Sequence, residues 1–197
     1  MRRTQEDRTR ATRAALVTAA RKLFAERGYA AVSAEQIVAA AGVTRGALQH
    51  HFGDKKALFA AVLDQMEVEL SERIFVPTDD PWELLTGGLA RFLDACEEPE
   101  LVQIALRDAP AVLGWQAWRE IEARHNLALI EAGLNLAMDA GVLSRRPVRT
   151  VAHLLLSACI EAALLIAAGN PRRETEETLL TLLDGLRAPA PPGGDGR

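Results

Sequence analysis

Cysteine is scarce in this chain. Its 197 residues include two cysteines, Cys96 and Cys159, which lie far apart in segments of helical character. They provide neither a disulfide framework nor the close spacing of metal ligands, and their scarcity suits a reducing cytoplasm. The adjacent His50 and His51 do not replace them, because neighbouring residues of a helix point about 100° apart and cannot share an ion unaided. We expect no metal and no other cofactor.

Signals for β-strands and for catalysis are also missing. There is no alternating run of Val, Ile and Thr and no Asn-Gly hairpin turn. No catalytic order of Ser, His and Asp, no phosphate-binding glycine loop and no cluster of metal ligands can be found. The sequence therefore predicts an all-α protein that is not an enzyme.

Neither a secretory leader nor a membrane span is expected. The N-terminal segment MRRTQEDRTR is charged throughout. The most apolar segment, residues 151–168, carries His153, Ser157 and Glu161, and three such polar groups argue against a span. We therefore expect a cytoplasmic protein with no membrane partner.

Charge is distributed unevenly along the chain. The net charge of −4 would by itself argue against a nucleic-acid partner. Residues 1–60, however, contain eleven Lys or Arg and five Asp or Glu, a net charge of +6, whereas the remainder has a net charge of −10. A basic N-terminal part on an acidic body is expected where a DNA-contacting end is joined to a solubilising body.

Hydrophobic periodicity is helical along most of the chain and predicts about nine helices. Gly28, Gly42 and Gly141 mark helix ends, and Pro110 separates the sixth helix from the seventh. Ser33 and Gln36 fit a capping box at the start of the second helix. In order, the predicted helices are one ending at 27–28 and then about 33–41, 44–51, 55–74, 82–97, 99–108, 112–140, 147–169 and 173–187.

Three of these helices lie within about fifty residues, and a glycine-containing turn joins the second to the third. This arrangement is typical of a helix-turn-helix motif, whose third helix enters the major groove of DNA. Arg45, Gln49 and His50 can face outwards from that helix, and Gly46 would allow its close approach. Arg can pair with guanine and Gln with adenine, each good bidentate contact contributing about 1–3 kcal/mol of base discrimination.

Four further residues complete the predicted DNA-binding set. Lys55 and Lys56, near the start of the fourth helix, are expected to neutralise phosphate together with the positive end of that helix. Ser33 and Thr44 stand at the starts of the second and third helices, which they can cap. The alternative is that the three helices merely pack together and that their basic residues are solvated.

Four sequence runs follow one another in order within roughly residues 10–65: ARKLFAERGY at 20–29, IVAAAGVT at 37–44, GALQHHF at 46–52 and DKKALF at 54–59. Through these runs the chain resembles the N-terminal domain of the TetR (tetracycline repressor) family. The family often has Tyr where this chain has Gln49. That Tyr usually meets the DNA backbone, so Gln49 is expected to contact either a base or a phosphate.

The resemblance and the composition together divide the chain into four parts. Residues 1–9 are expected to be a flexible basic N-terminus, and 10–75 the helix-turn-helix DNA-binding domain. Residues 76–187 would form a helical regulatory and dimerisation domain, and the Pro/Gly-rich 188–197 a disordered tail. By the resemblance, the helices at about 147–169 and 173–187 pair with their copies in a four-helix bundle.

Two broad apolar surfaces on these last helices support a homodimer independently, because they exceed what one modest domain needs to bury. The alternative is that both helices are core helices of a monomer. His153, Ser157 and Glu161 form a polar stripe on one of them. That stripe would either line a pocket, pair across the dimer or form a solvated edge.

Aromatic residues on the long seventh helix indicate a pocket for an unknown small-molecule inducer. Trp115, Trp118, Glu122 and His125 share one face by their spacing, although Trp at such positions is also a common core residue. The full set of candidate pocket residues is Phe92, Arg107, Trp115, Trp118, Glu122, His125, Ser157 and Glu161.

The sequence thus favours a ligand-responsive homodimeric regulator, a repressor rather than an activator. Its two third helices would enter successive major grooves, about 34–36 Å apart, on a palindromic operator. Two alternatives come from other classes: a small-molecule-binding protein or enzyme that keeps the N-terminal helices for packing, and a helical adaptor that dimerises without DNA. Salt-dependent DNA affinity would distinguish the regulator, and ligand turnover the enzyme.

Overall fold

The computed structural model describes residues 5–189, which form nine helices and no strand. The prediction of an all-α fold is confirmed. Within these residues a single antiparallel bridge joins Leu143 to Arg187. In order the helices are α1 (Gln5–Arg27), α2 (Ala34–Ala41), α3 (Arg45–Phe52), α4 (Lys55–Ile74), α5 (Pro81–Ala95), α6 (99–113), α7 (Trp115–Asp139), α8 (Val148–Ala167) and α9 (Arg172–Asp184).

Helix α6 differs most from the prediction. It starts with Pro99–Leu101, widens into a π-helical segment over Val102–Asp108 and closes with Ala109–Leu113. The predicted break at Pro110 is wrong, because the helix continues through this proline, which follows directly on the π-helical segment. The chain breaks instead at Gly114, whose φ of 91° ends the helix, so α7 begins at residue 115 rather than 112.

Both ends of the described chain are more ordered than expected. Residues 5–9, predicted to be flexible, belong to α1, where the Thr9 hydroxyl donates to the carbonyl of Gln5 at 3.0 Å. The acidic residues of that first turn also suit the positive helix end. In the predicted tail, the amide of Ala188 donates to the carbonyl of Val142 at 3.1 Å. Residues 1–4 and 190–197 lie outside the described residues.

The chain forms two compact units. The first unit comprises Met1–Glu69 and Glu97–Ile121, and the second comprises Leu70–Cys96 and Glu122–Arg197. Both units are therefore built from segments that are separated in sequence.

Aromatic rings form the centre of the first unit. The ring centroids of Phe24, Tyr29 and Phe59 lie 5.1–5.5 Å from one another, with the two contacts of Phe59 edge-on. Phe24 and Phe59 are completely buried. These contacts hold the end of α1 against the start of α4.

An ion-pair network ties α6 to α1 and α4 within the first unit. The guanidinium of Arg21 on α1 donates two hydrogen bonds to the carboxylate of Glu100, both at 2.8 Å, and one to Glu69 at 2.6 Å. The hydrogen bond with Glu100, together with that of Glu69, raises the pKa of Arg21 above its ordinary value, against the effect of burial. Arg21 therefore stays charged and joins three helices.

A second contact fixes α6 at the corner after α1. The amide of Tyr29 donates to the carboxylate of Asp108 at 2.7 Å. A Cβ atom at Gly28 would lie 3.1 Å from the side-chain amide nitrogen of Gln103 and 3.7 Å from the Asp108 carboxylate. The absence of a side chain at Gly28 therefore lets α6 approach this corner closely.

Aliphatic residues form the core of the second unit. One cluster is centred on Leu134, Met138 and Leu143, and another on Leu93 and Leu179. The first joins residues of α5, α7 and α8 and of the segments beside α8 and α9, and the second joins α5, α8 and α9. Partly buried Trp82 packs at the edge of the first cluster and Phe92 at the edge of the second.

Candidate nucleic-acid interface and ligand cavity

The turn between α2 and α3 is defined by hydrogen bonds local to the sequence. The Ser33 hydroxyl accepts from the amide of Gln36 at 3.2 Å, and the Ser33 amide donates to the Gln36 side chain at 2.8 Å. The predicted capping box is confirmed. Gly42 has a φ of 65°, a conformation that favours glycine, and its amide donates to the carbonyl of Ala39. The Thr44 hydroxyl then caps α3.

These caps present one polar face of α3 to solvent. Arg45, Gly46, Gln49 and His50 are exposed, whereas Leu48 is buried and anchors the helix. A Cβ atom at Gly46 would meet only the Thr44 hydroxyl, at 3.7 Å, so the surface above it is open. The predicted base-reading side chains thus share an accessible surface.

Arg45 has an acidic partner within this surface. Its guanidinium forms an ion pair with the carboxylate of Glu35, in the first turn of α2. Backbone hydrogen bonding at the helix start and the charge of Arg45 lower the pKa of Glu35. The carboxylate is therefore ionised at neutral pH and compensates the charge of Arg45. No feature of the sequence indicated this pair, because it joins two helices.

Arg13 of α1 supports the other end of α3. Its guanidinium donates to the carbonyl of His51 at 3.4 Å and lies 4.4 Å from the centroid of the Phe52 ring. The periodicity of α1 gave no signal for this contact, because it joins residues distant in sequence. Arg13 is therefore a positioning residue for α3.

The two lysines predicted to contact phosphate have different environments. The ammonium of Lys55 donates to the carbonyls of Tyr29 and Val32, at 3.0 and 2.8 Å, and lies 3.8 Å from the centroid of the Tyr29 ring. Burial lowers the pKa of Lys55. Lys56 is exposed. The side chain of Lys55 therefore holds the loop before α2, whereas that of Lys56 faces solvent.

The second unit contains a cavity that is partly open to solvent. Its walls come from the end of α4 and from α5, α7, α8 and α9, and most of its lining side chains are aliphatic or aromatic. One face of α7 contributes Glu122, Asn126, Leu129, Ile130 and Gly133. A mostly apolar lining with a few polar groups is typical of a small-molecule site.

Two of the predicted pocket residues, Phe92 and Glu122, line this cavity. Arg107, Trp115 and Trp118 do not, since they belong to the first unit. Trp118 is completely buried as a core residue, and Trp115 is 61% exposed. Helical spacing does not show at which residue a long helix passes from one unit to the other.

Three other predicted pocket residues lie in the second unit but not on the cavity: His125, Ser157 and Glu161. Ser157 is exposed, and its hydroxyl donates to the carbonyl of His153 in its own helix at 2.9 Å. Glu161 is exposed beside a shallow groove between α8 and α9. The polar stripe therefore belongs to an outer face of α8. Asn126 lines the cavity but was not among the predicted pocket residues, because that prediction followed the aromatic side chains.

Cys159 is the cysteine at the cavity wall. Burial raises its pKa to about 12, so its thiol stays protonated at neutral pH. A thiol in such a surrounding is a structural rather than a reactive cysteine.

The outer faces of α8 and α9 expose large aliphatic side chains. Leu154, Leu165 and Leu182 are 67%, 41% and 62% exposed. Leu165 and Leu182 both line the groove between the two helices. Exposed leucines concentrated on one pair of helices are typical of an interface with another protein surface.

Comparison with known proteins gives matches over both halves of the chain. Residues 82–188 match the family profile described as the tetracyclin repressor-like C-terminal domain, and 16–62 that of bacterial regulatory proteins of the tetR family. The HTH-type transcriptional regulator CymR of Pseudomonas putida is 30% identical over 165 residues, 79% of each chain.

Solved structures agree. A TetR-family transcriptional regulator from Pectobacterium atrosepticum is 36% identical, with a TM-score of 0.81 over 96% of this chain and 100% of that one. RolR in complex with resorcinol has a TM-score of 0.74 over 90% of each chain, at 18% identity, which is a likeness of fold.

Proposed function

Because the chain belongs to the TetR family of DNA-binding transcriptional regulators, we propose that it is a cytoplasmic, homodimeric repressor that releases a palindromic operator when a small molecule binds its second unit. The single observation that carries the proposal is the pairing, in one chain, of an exposed helix-turn-helix surface with a separate, mostly apolar cavity.

The DNA-binding role rests on the polar face of α3. Arg45, Gln49 and His50 would read base edges or adjacent phosphates, while Gly46 permits close contact. Ser33 and Thr44 mark the N-termini of α2 and α3, where backbone N–H groups favour phosphate. Lys56 adds a charge, whereas Lys55 acts through the loop that it holds.

The exposed leucines of α8 and α9 support the homodimer. By length and composition alone α8 could also cross a membrane. Its outer face, however, carries His153, Ser157 and Glu161 beside the leucines, and such groups are better accommodated at a protein interface with water at its rim than in hydrocarbon. Pairing of two copies would bury this face and set two α3 helices about 34–36 Å apart.

The cavity of the second unit supports the ligand response. RolR, which shares the fold, was crystallised with the ligand resorcinol. A ligand shifts a regulator between two states only by binding one of them more tightly, and a change from 1:99 to 99:1 requires about 5.5 kcal/mol of differential affinity. Burial of apolar ligand surface in a mostly apolar site is a source of such binding energy.

The test is DNA binding by the full-length protein, measured by fluorescence anisotropy on the intergenic DNA upstream of its own gene and on random DNA, at two salt concentrations. We expect preferential, salt-sensitive binding to the upstream DNA. Arg45→Ala should reduce that preference by about tenfold, equivalent to one base contact. Arg146→Ala, which removes an exposed charge in the second unit, is the matched control. Equal affinity of the wild-type protein for both DNAs would contradict the proposal.

A further inference from the structure

Two adjacent glycines, Gly87 and Gly88, lie in the interior of α5. Glycine destabilises the interior of a helix relative to alanine, because it loses more backbone conformational freedom on folding. A glycine inside a helix therefore usually has a local reason, such as close packing or a space that must stay open. The surroundings of the two glycines show that their reasons differ.

Gly87 lies beside a flexible side chain. A Cβ atom at this position would come within 3.1 Å of an Nη atom of Arg91, whose Nε donates to the carbonyl of Ile74 at 2.9 Å. The end of an arginine side chain can move aside. Gly87 is not part of the cavity wall, so a side chain there would leave the cavity unchanged.

Gly88 is buried and lines the cavity. Apart from its chain neighbours and the backbone of α5, a Cβ atom here would meet only Ile74 among the described residues, at 3.6 Å from the Cγ2 atom and 3.8 Å from the carbonyl oxygen. Both are ordinary van der Waals separations, so alanine would fit without displacing a neighbour. Packing therefore does not require glycine at this position, and the missing side chain leaves the cavity wider.

Gly133 of α7, which also lines the cavity, has a different explanation. A Cβ atom there would come within 3.0 Å of the Leu85 side chain. Such a distance is shorter than the optimal separation of two carbon atoms, about 3.5–4.0 Å, so a side chain would force Leu85 to move. Gly133 is therefore explained by the packing of α7 against α5, whereas Gly88 is not explained by packing.

Two aromatic side chains lie next to Gly88 in the fold. Phe92 follows it by one turn on the same face of α5, and Phe75 follows Ile74, the residue that Gly88 faces. Both phenylalanines line the cavity. Aromatic rings pack favourably against other rings, in offset-stacked or edge-on contact. Backbone without a side chain allows a ligand to approach closely. The wall around Gly88 therefore suits a flat aromatic group.

From this arrangement we propose that Gly88 is a specificity-determining residue of the cavity. It leaves a shallow recess on α5, beside Phe75 and Phe92, in which an aromatic ring of the ligand lies. The contact involves only the carbon atoms of the ligand ring and is independent of the charge of the polar groups in the wall. The inference rests on the proposed function only in taking this cavity as the effector site.

The experiment compares two uncharged probes, 4-phenylbutan-1-ol and 4-cyclohexylbutan-1-ol, which differ only in whether the ring is aromatic and flat. Isothermal titration calorimetry measures the binding of each probe to the full-length protein. The cyclohexyl ring exposes more apolar surface, so burial alone would favour that probe. We expect the phenyl probe to bind at least about threefold more tightly, as for one aromatic pair. Equal or tighter binding of the cyclohexyl probe, or no binding of either, would overturn the inference.

Matched alanine substitutions identify the recess. Gly88→Ala should weaken the phenyl probe by about tenfold, the effect of one extra carbon in an apolar pocket, and the cyclohexyl probe by less than about threefold. Gly87→Ala makes the same change at the adjacent residue and should alter neither affinity. Both variants should melt at a higher temperature than the wild-type protein, because alanine favours the helix. Equal affinities of the two variants for the phenyl probe, or a lower melting temperature for Gly88→Ala, would contradict the assignment to Gly88.

A third variant tests the aromatic contact without changing the glycine. Phe92→Leu keeps an apolar side chain at the cavity wall but removes the ring, and it should reduce the preference for the phenyl probe. An unchanged preference would overturn the placement of the ligand ring beside Phe92. Should Gly88→Ala fail to fold, by circular dichroism, the ranking of the probes on the wild-type protein and on this variant still decides.

DNA release, measured in parallel by fluorescence anisotropy, separates this inference from the proposed function. Release by the cyclohexyl probe but not by the phenyl probe would overturn the aromatic ligand class and leave the regulator intact. Tighter binding of the phenyl probe without release from DNA would leave the recess intact and contradict the proposed regulation.

Discussion

The two units of this chain use similar interactions for different tasks. In the first unit, charged groups position the elements around the helix-turn-helix motif: Arg21 joins three helices, Arg13 holds the end of α3, and Lys55 holds the loop before α2. In the second unit, where Arg172 likewise donates to Asp94, Glu176 and the carbonyl of Ala90, the aliphatic clusters lie beside a cavity. Directional contacts specify positions, whereas aliphatic packing tolerates repacking.

Each unit is suited to one task. Reading DNA requires side chains that are positioned to within the length of a hydrogen bond, and the first unit supplies the directional contacts for that. Accepting a ligand requires removable volume, and the second unit supplies it by leaving apolar walls unfilled. Substitutions chosen in matched pairs can test this division.

The largest expected effect is in the aliphatic core. Leu134→Ala removes a completely buried side chain of α7 and should lower the free energy of unfolding by about 3 kcal/mol. Leu129→Ala, on the cavity side of the same helix, should cost about 1 kcal/mol, because the space beside it is already empty. Urea denaturation at fixed protein concentration measures both. Equal losses would show that the cavity wall is as tightly packed as the core.

Arg21→Ala should have the next effect. It removes three charge-assisted hydrogen bonds and leaves the carboxylates of Glu69 and Glu100 without them, at a cost of about 2 kcal/mol. Arg173→Ala breaks an exposed pair with Glu177 and should cost less than about 0.5 kcal/mol. The same urea titration applies, and similar midpoints for the two variants would mean that the Arg21 network contributes little.

The two adjacent lysines provide a smaller contrast. Lys55→Met removes two hydrogen bonds to backbone carbonyls and should lower stability by about 1 kcal/mol. Lys56→Met should leave stability unchanged and reduce the slope of log affinity for DNA against log salt by about 0.9, the value for one phosphate contact. Thermal melts and anisotropy at four salt concentrations measure these quantities. If Lys55→Met reduced the salt slope and Lys56→Met lowered the stability, Lys55 would be the phosphate contact instead.

Glu35→Gln should have the smallest effect, on DNA affinity alone. The substitution releases Arg45 from its ion pair and removes a negative charge that would face phosphate. Random DNA should then bind several-fold more tightly, with less gain on the upstream DNA, so specificity falls. Glu120→Gln, an exposed carboxylate on α7, serves as control. Weaker binding to both DNAs would show instead that Glu35 holds Arg45 in its reading position.

Local chemistry explains what the sequence could predict. Caps and turns depend on residues that are close in sequence. The capping box of Ser33, the turn at Gly42 and the cap at Thr44 could therefore be predicted from the amino-acid sequence. The helix-turn-helix motif consists of such features. The bounds of α4 were predicted without error for the same reason.

Tertiary contacts explain what the sequence could not predict. The role of Lys55 depends on carbonyls more than twenty residues away, and the pair of Arg45 with Glu35 crosses from one helix to another. Helical spacing correctly placed Trp118 and Glu122 on neighbouring turns, yet one is a core residue and the other faces the cavity. Periodicity identifies a face of a helix but not what that face meets.

The π-helical segment of α6 has a consequence for chain length. Gln103 and Asp108 are five residues apart, and both approach the corner at Gly28. In an ordinary α-helix, five residues would leave two side chains about 140° apart around the axis. A π-helix has more residues in each turn, so the angle between the two side chains around the axis is smaller. Deleting one residue between them would leave them four apart, a spacing that an ordinary α-helix keeps within about 40° on one face. The π-helical segment thus accommodates one residue more than an α-helix needs to bring both side chains to the corner.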